Sequence, residues 1–337
     1  MGYALEKRII DQKVKTAKTA VVLAVALLCC AGLIFSAYYP PDSWKYYFQL
    51  PQTGVRADGE LRMHFLDVGQ GDATIIELPD GKTMLIDGGN GETSTADTVL
   101  RYLNALKIDE LDYLLVTHAD SDHCGSLDTV LKYKSVKQAF VPNAEETVNA
   151  EYASFYSALL DEGCEIIHAD NSIRLSVYAG EYQYKLCFLS PSAYGAEEKI
   201  PEEESNENSA VVWLDYHGVS TLFTGDAPKS TEEKLQFNDG IGLFDNMEVE
   251  LGSTEILKVA HHGSADSTGA EFLGYLHAQT AVISCGVDNP YGHPMSETLN
   301  ALTANGTDIY RTDQHGGIIV SIPKEENKWT VQTYGKT

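Results

Sequence analysis

Basic residues are scarce. The 337-residue chain has 24 Lys and Arg against 49 Asp and Glu, a formal net charge of −25 at pH 7. A surface of that sign repels nucleic acid at long range, which excludes wrapping a duplex through a broad basic face. Cysteine is also sparse. Of six, Cys29 and Cys30 lie inside an apolar run, and Cys124, Cys164, Cys187 and Cys285 show no C-x-x-C spacing. Neither a zinc finger nor a disulfide scaffold is indicated, and buried free thiols are the expectation. No fixed period repeats along the chain, which removes solenoids and propellers. With 43% hydrophobic residues the composition is not disorder-like, and the length suits one large domain or two modest ones.

What is present begins with VVLAVALLCCAGLIFSAYY, residues 21–39, a run without a charge. As a helix it is long enough to cross a hydrocarbon layer about 30 Å thick. Lys7, Arg8, Lys13, Lys15 and Lys18 precede it. Basic flanks stay in the cytoplasm, so residues 1–20 are expected inside and everything after about residue 40 outside the cell. A cleaved signal peptide has a shorter apolar region closed by a small-x-small site. No good A-x-A pattern closes this run, so the expectation is a single-pass anchor, with secretion as the outcome if it is cleaved. Residues 1–40 hold five of the 24 basic and two of the 49 acidic residues, leaving 19 basic and 47 acidic outside, a net of −28.

Residues 40–59 mix prolines, aromatics and polar residues without periodicity and read as a linker; the folded domain is expected over 60–337. Short apolar runs bounded by Gly and Asp then predict strands: LRMHFLDV, DATIIEL, KTMLIDGG and LDYLLVTH, followed by 181–189, 209–218, 219–226, 255–260, 280–285 and the closing runs GGIIVSI and WTVQTY. Helical spacing appears at 96–108, 126–133 and 151–163, with Gly163 as a stop, and near 229–237, 268–276 and 296–304. The acidic stretch 196–208 reads as a solvated loop. Many strands with a few interspersed helices predict two sheets covered by helices.

The chemistry concentrates in THADSDHCGS, residues 117–126, where a buried-type strand ends. Residues two apart on an extended chain point the same way, so His118, Asp120 and Asp122 can converge while His123 faces a neighbouring position. Imidazoles and carboxylates at that density predict a metal site, with room for two adjacent ions.

HxDxDH after a buried strand, with LIDGG (85–89) before it and LFTGDA (222–227) and AHHGS (260–264) after it, resembles the metallo-β-lactamase superfamily. HFLDVGQGDA (64–73), NSAVVWL (208–214), YGHP (291–294) and TDQHGGI (312–318) resemble, more narrowly, the metallo-β-lactamase domain of ComEC-type competence DNA-uptake proteins. The resemblance implies an α/β fold, a four-layer αββα sandwich with its site at one edge of the two sheets. It implies His118 and Asp120 on a first ion, Asp122 and His123 on a second, and Asp226 bridging both. His262 would complete the second set, with His261 behind it or facing substrate, and Asp87 would orient a ligand. Asp120 stands where the broader pattern has histidine, and Asn208 and Ser209 stand where a further histidine is expected. An oxygen-rich first shell moves the expected cofactor, one or two divalent ions, from Zn²⁺ toward Mn²⁺, with Mg²⁺ also compatible.

His293, in a Gly/Pro-constrained loop, is expected to touch phosphate or protonate a leaving oxygen. Ser264 and Ser267 suit either a phosphate oxygen or a helix cap. His64, His168, His217, His277 and His315 read as structural. The expected activity is metal-assisted hydrolysis with Asp122 or Asp226 taking the proton of water, on DNA or another phosphodiester. Esters of the phosphorylcholine or lactone type, and a non-catalytic docking role in a DNA-uptake assembly, are the alternatives. The polytopic channel of the ComEC-type proteins has no counterpart in these residues, so a separate channel protein is the expected partner.

Overall fold

Alternation in VVWLDY shows how the strands are built. Val212, Leu214 and Tyr216 enter one apolar cluster while Val211 and Trp213 enter another, because successive side chains leave opposite faces of a strand. Both faces are therefore covered. The structure is a computed structural model, and it describes residues 2–38, 41–193, 199–201, 204–325 and 327–335. It divides into two units, 1–49 and 50–337.

In the first unit, α1 spans Gly2–Tyr38 and contains an apolar stretch, Gln12–Ser36, long enough to cross a membrane. The helix extends well before the expected span, whose last residue, 39, lies outside the described residues. After it a 3₁₀ turn, Pro41–Tyr47, sets the rings of Trp44 and Tyr47 at 5.4 and 6.2 Å from that of Phe35.

The second unit opens with β1 (Leu61–Phe65), β2 (Thr74–Glu77) and β3 (Thr83–Ile86), followed by α2 (Thr93–Ala105) and β4 (Glu110–Leu115). Next come α3 (Ser121–Cys124), α4 (Leu127–Leu131), β5 (Ser135–Val141), α5 (Ala150–Glu162) and β6 (Glu165–His168). A second half runs β7 (Lys185–Ser190), β8 (Val211–Tyr216), β9 (Val219–Phe223), α6 (Lys229–Gly240), β10 (Ile256–Lys258), α7 (Ala270–Leu276), β11 (Thr280–Ile283), α8 (Ser296–Ala304) and β12 (Asp308–Arg311). The short α9 (Thr312–His315) leads to β13 (Gly317–Ile322) and β14 (Thr330–Tyr334).

Eight strands form one sheet in the order β14-β13-β1-β2-β3-β4-β5-β6, and six form the other, β12-β11-β10-β9-β8-β7. Phe65, Met84 and Phe140 of the first meet Phe188, Leu214 and Phe223 of the second in one buried cluster. Leu235, Phe272 and Leu302 of the helices α6, α7 and α8 cover the outer face of the second sheet. On α2, Ala96, Val99, Leu100 and Leu103 are buried at helical spacing. The architecture is the four-layer αββα sandwich expected.

Three strands, β5, β6 and β12, are absent from the sequence expectation. The stretch expected as strand over 181–189 pairs continuously only from Lys185, and 209–218 begins as a strand at Val211. Residues 50–59, within the expected linker, lie in the compact second unit: Thr53 and Gly59 accept hydrogen bonds from Arg62 and Tyr216, and Arg56 donates to the Leu78 carbonyl at 2.9 Å. Of the acidic stretch 196–208, residues 196–198 and 202–203 lie outside the described residues; its end is a 3₁₀ turn, Asn206–Asn208.

The loop GQGDA, between β1 and β2, is knitted to the His/Asp loop through backbone. Asp72 N–H donates to the Asp122 carbonyl at 3.1 Å, and Gly88 N–H, from the segment after β3, donates to that of His123 at 2.7 Å. Gly71 sits at φ 137°, where a Cβ would lie 2.4 Å from the Asp122 carbonyl oxygen. Only glycine tolerates both conditions. Gly71→Ala is expected to lower unfolding free energy by more than about 1 kcal/mol, read from a denaturant melt; an unchanged midpoint would show that the close approach is not needed.

Candidate metal centre

The centre is organised by parallel pairing of β3 with β4, which sets Ile86 opposite Leu115 and so carries Asp87 and Thr117 out of the sheet side by side. Asp87 takes a left-handed backbone, φ 59°, which aspartate adopts more readily than most residues. Its side chain is buried and fully used. Oδ1 accepts from the Thr117 backbone N–H at 2.8 Å, and Oδ2 accepts from the Thr117 hydroxyl at 2.8 Å and from His123 Nδ1 at 2.9 Å. With its one proton committed to Asp87, the Thr117 hydroxyl accepts from His118 Nδ1 at 3.0 Å. One carboxylate thus orients two imidazoles, one directly and one through a threonine.

Both rings, when neutral, then keep the Nε2 lone pair for the site. His118 Nε2 and His123 Nε2 are buried without a hydrogen-bond partner, as is Asp226 Oδ1. They converge: Asp226 Oδ2 is 3.8 Å from His118 Nε2, and Asp226 Oδ1 is 3.2 Å from His123 Nε2. Asp226 follows β9 of the other sheet, and its backbone N–H donates to the buried Ser209 hydroxyl at 3.1 Å. Ser209 therefore holds Asp226 in place, while the Asn208 amide donates to the Glu204 carbonyl at 2.8 Å.

His261 and His262 lie beyond β10 at φ 49° and 54°. Two consecutive non-glycine residues in that region carry strain of about 1–3 kcal/mol each, and the turn sends the two rings different ways. His262 is buried, donates through Nδ1 to the Ser284 carbonyl at 3.0 Å, and aims Nε2 at Asp122 Oδ2, 3.1 Å away, with Asp226 Oδ2 at 3.9 Å. His261 stays at the rim, its Nε2 3.7 Å from Asp226 Oδ2 and its Nδ1 3.3 Å from Asp266.

Three donor groups emerge among the described residues; Asp72–Asp87–His123 lies on the Nδ1 side already bonded to Asp87, and the other two are His118–His123–Asp226 and Asp122–His123–His262. Each mixes imidazole and carboxylate, and orphaned buried nitrogen and oxygen atoms meet at their junction, so the residues fit divalent cations. Asp120 lies at the edge, 38% exposed, with Oδ2 3.7 Å from His118 Nε2. The His293 ring is 5.5 Å from that of His261, and its Nδ1 is buried without a partner. The Ser267 hydroxyl donates to the Ala260 carbonyl at 3.0 Å and so braces the loop, while the Ser264 backbone carbonyl accepts from Thr298 at 2.8 Å. His64 pairs with Glu77 at 2.9 Å inside the sheet, His217 and His277 occupy left-handed turn positions, and His315 bonds the Arg311 backbone.

A buried ion pair was not anticipated. Lys258 Nζ lies 2.7 Å from Asp72 Oδ2, and Asp72 Oδ1 lies 3.6 Å from His262 Nδ1. Its signal was a lysine inside the apolar strand ILKVA, because a lysine there needs a carboxylate partner.

A model described as the metallo-beta-lactamase superfamily matches residues 66–287. The chain belongs to that superfamily. It is 29% identical over 331 residues to ComE operon protein 3 of Bacillus subtilis (strain 168), covering 94% of this chain and 37% of that protein. It is also 29% identical over 262 residues to competence protein ComA of Neisseria gonorrhoeae, covering 77% of this chain and 32% of that protein. The match is to the metallo-β-lactamase domain of ComEC-type competence proteins, and the chain spans about a third of the length of these relatives. Among solved structures, a diphosphatase from the PhnP family aligns at TM-score 0.43 and 14% identity, covering 78% of this chain and 98% of that one. The superfamily is one of metal-dependent hydrolases.

The charge state of the cluster without a cation follows from these contacts. Burial alone would lower His262, but the charge of Asp226 and the hydrogen bond to Asp122 outweigh it and raise it from 6.5 to about 10. Burial alone would raise Asp122, but His262 and His123 hold it down at about 2. Asp226 is likewise depressed and His123 elevated, each against its own burial and by the other's charge. The raised histidine contributes stability that is complete below pH 6.5 and lost as pH climbs toward 10; the depressed Asp122 contributes stability present above pH 3.8 and lost toward 2. A cation must displace the imidazole protons, so its binding strengthens as pH rises. The metal-induced rise in Tm is expected to be larger at pH 8.5 than at 5.5; equal rises would contradict the assignment. Thr117→Val, which removes the acceptor of His118 Nδ1, is expected to weaken metal affinity roughly 10- to 100-fold, measured by competition with a chelating dye.

Proposed function

We propose that this protein is a membrane-anchored, extracytoplasmic, metal-dependent phosphodiesterase acting on DNA or nucleotides, with Mn²⁺ or Zn²⁺ as cofactor and Mg²⁺ as a weaker substitute. The observation that carries the reading is the convergence of three imidazole Nε2 atoms on the Asp226 and Asp122 carboxylates, with His118 Nε2, His123 Nε2 and Asp226 Oδ1 buried and unpartnered. His118 and Asp226, with Asp120 at the edge, would hold one ion. Asp122, His123, His262 and the shared Asp226 would hold a second. A bound pair supplies positive charge that acidifies water and polarises a phosphoryl oxygen.

The chain's own groups do the rest. Asp122, 30% exposed on its side chain where Asp226 is sealed, is reached by solvent between the donor sets, and it accepts the proton of the attacking water. Asp226 is sealed inside and holds the centre together. Burial, then the neighbouring His261 and His262, keeps His293 below its ordinary 6.5, so it is neutral at pH 7 and suited to hydrogen-bonding a phosphoryl or leaving oxygen. His261, between Asp226 and His293, borders the same opening.

The oxygen-rich edge at Asp120 favours a hard cation on the first set. The apolar helix and its basic flank support an inside N-terminus, and the likeness to competence proteins supports a place beside a DNA-uptake channel.

The test uses the full-length chain in detergent, with single-stranded DNA and a chromogenic phosphodiester as substrates, and a phosphorylcholine ester and a lactone as controls. Hydrolysis of the first pair with Mn²⁺ is expected, falling roughly 100-fold or more in Asp122→Ala and His123→Ala protein of unchanged fold. Activity on the controls alone would replace the phosphodiester reading. Activity on nothing, with metal bound, would leave a docking role.

A further inference from the structure

The rim of the centre carries a run of rings that ends at Tyr291, a side chain the proposed hydrolysis does not use. The His293 ring lies 6.3 Å from that of His262 at an interplanar angle of 30°, and Tyr291 lies 5.7 Å from His293 at 26°. The stack therefore leads from a buried donor outward to solvent, where Tyr291 is 62% and Val287 54% exposed. The loop bearing them is held at its base. Asn289 accepts from the His293 backbone N–H at 3.0 Å and donates to the carbonyls of Gly286 at 2.9 Å and His293 at 2.6 Å. An exposed aromatic ring on a loop so held, beside a polar cluster, is a preorganised binding surface.

Charge narrows what it binds. Three cations of the same half of the domain are already engaged: Lys258 with Asp72 at 2.7 Å, Lys229 with Glu297 at 3.1 Å, and Arg311 with Asp313. On a chain of net charge −25, they offer no basic track for a phosphate backbone. Attraction for a nucleotide then falls to a cation pair at the centre and to stacking, which carries no charge requirement.

We propose that Tyr291 is the floor of a nucleobase subsite, so that the centre acts on short single-stranded nucleotide phosphodiesters with one flanking base laid on the Tyr291 ring. The inference rests on the phosphodiester reading above. A duplex keeps its bases stacked inside and cannot use the floor.

The test compares thymidine 5′-(p-nitrophenyl phosphate) with methyl p-nitrophenyl phosphate, which share a leaving group and differ by the nucleoside. Full-length protein with Mn²⁺ is expected to prefer the nucleoside ester in kcat/KM, and Tyr291→Ala to cut that preference roughly 5- to 100-fold, the range that stacking of one base supports. Tyr291→Phe is expected to retain it. Calorimetric binding of thymidine monophosphate against methyl phosphate, which needs no turnover, is expected to change in parallel. If both esters are hydrolysed and the preference survives Tyr291→Ala, the subsite is overturned while the phosphodiester function stands. If the wild-type protein hydrolyses neither, the function fails and the subsite with it.

Discussion

The arrangement depends on one buried carboxylate. Asp87 stands where two parallel strands end together, and its two oxygens collect the Thr117 backbone and hydroxyl and the His123 ring. Those bonds settle which nitrogen of His123, and through Thr117 which nitrogen of His118, faces the other sheet. Everything on the facing side, Asp226 held by Ser209 and His262 held by the Ser284 carbonyl, is useful only because the first pair is already aimed. A carboxylate this buried is stable because both of its oxygens are hydrogen-bonded.

The two sheets divide the work. The first supplies a loop dense in ligands from a single strand end; the second supplies one carboxylate and one imidazole from strand ends far along the chain. The interface between sheets is a packed apolar core, and the candidate metal donors sit at its edge, where extended chain gives way to loops. Three of the backbone irregularities fall there as well: Asp87, His261 and His262 adopt left-handed φ. Strain placed at a site and outweighed by a large core elsewhere is the usual economy of a preorganised centre.

Much of this was legible in the sequence, for identifiable reasons. THADSDHCGS and LIDGG are local, so ligand type and spacing could be read without knowing the fold, and buried apolar runs marked most strands. What escaped was non-local or weakly patterned. SVKQAFV, EIIH and DIYR form β5, β6 and β12, yet each is short or interrupted by polar residues because part of it faces outward. The Lys258–Asp72 pair joins residues 186 positions apart, and only the fold brings them together. Separation of His261 from His262 depended on two left-handed residues in succession, a conformation that nothing in AHHGS prescribes. Ser264 and Ser267 looked equally suited to phosphate or to the backbone, and the turn took up the Ser267 hydroxyl.

The central claim is that His118, Asp122, His123, Asp226 and His262 form one shared divalent-cation centre. Anomalous diffraction at the manganese edge from crystals grown with Mn²⁺ tests it most directly. The expected result is anomalous density between the Nε2 atoms of these histidines and the Asp226 carboxylate, lost in Asp226→Asn crystals of the same form. Density confined to surface carboxylates, with none at Asp226 under saturating Mn²⁺, would contradict it.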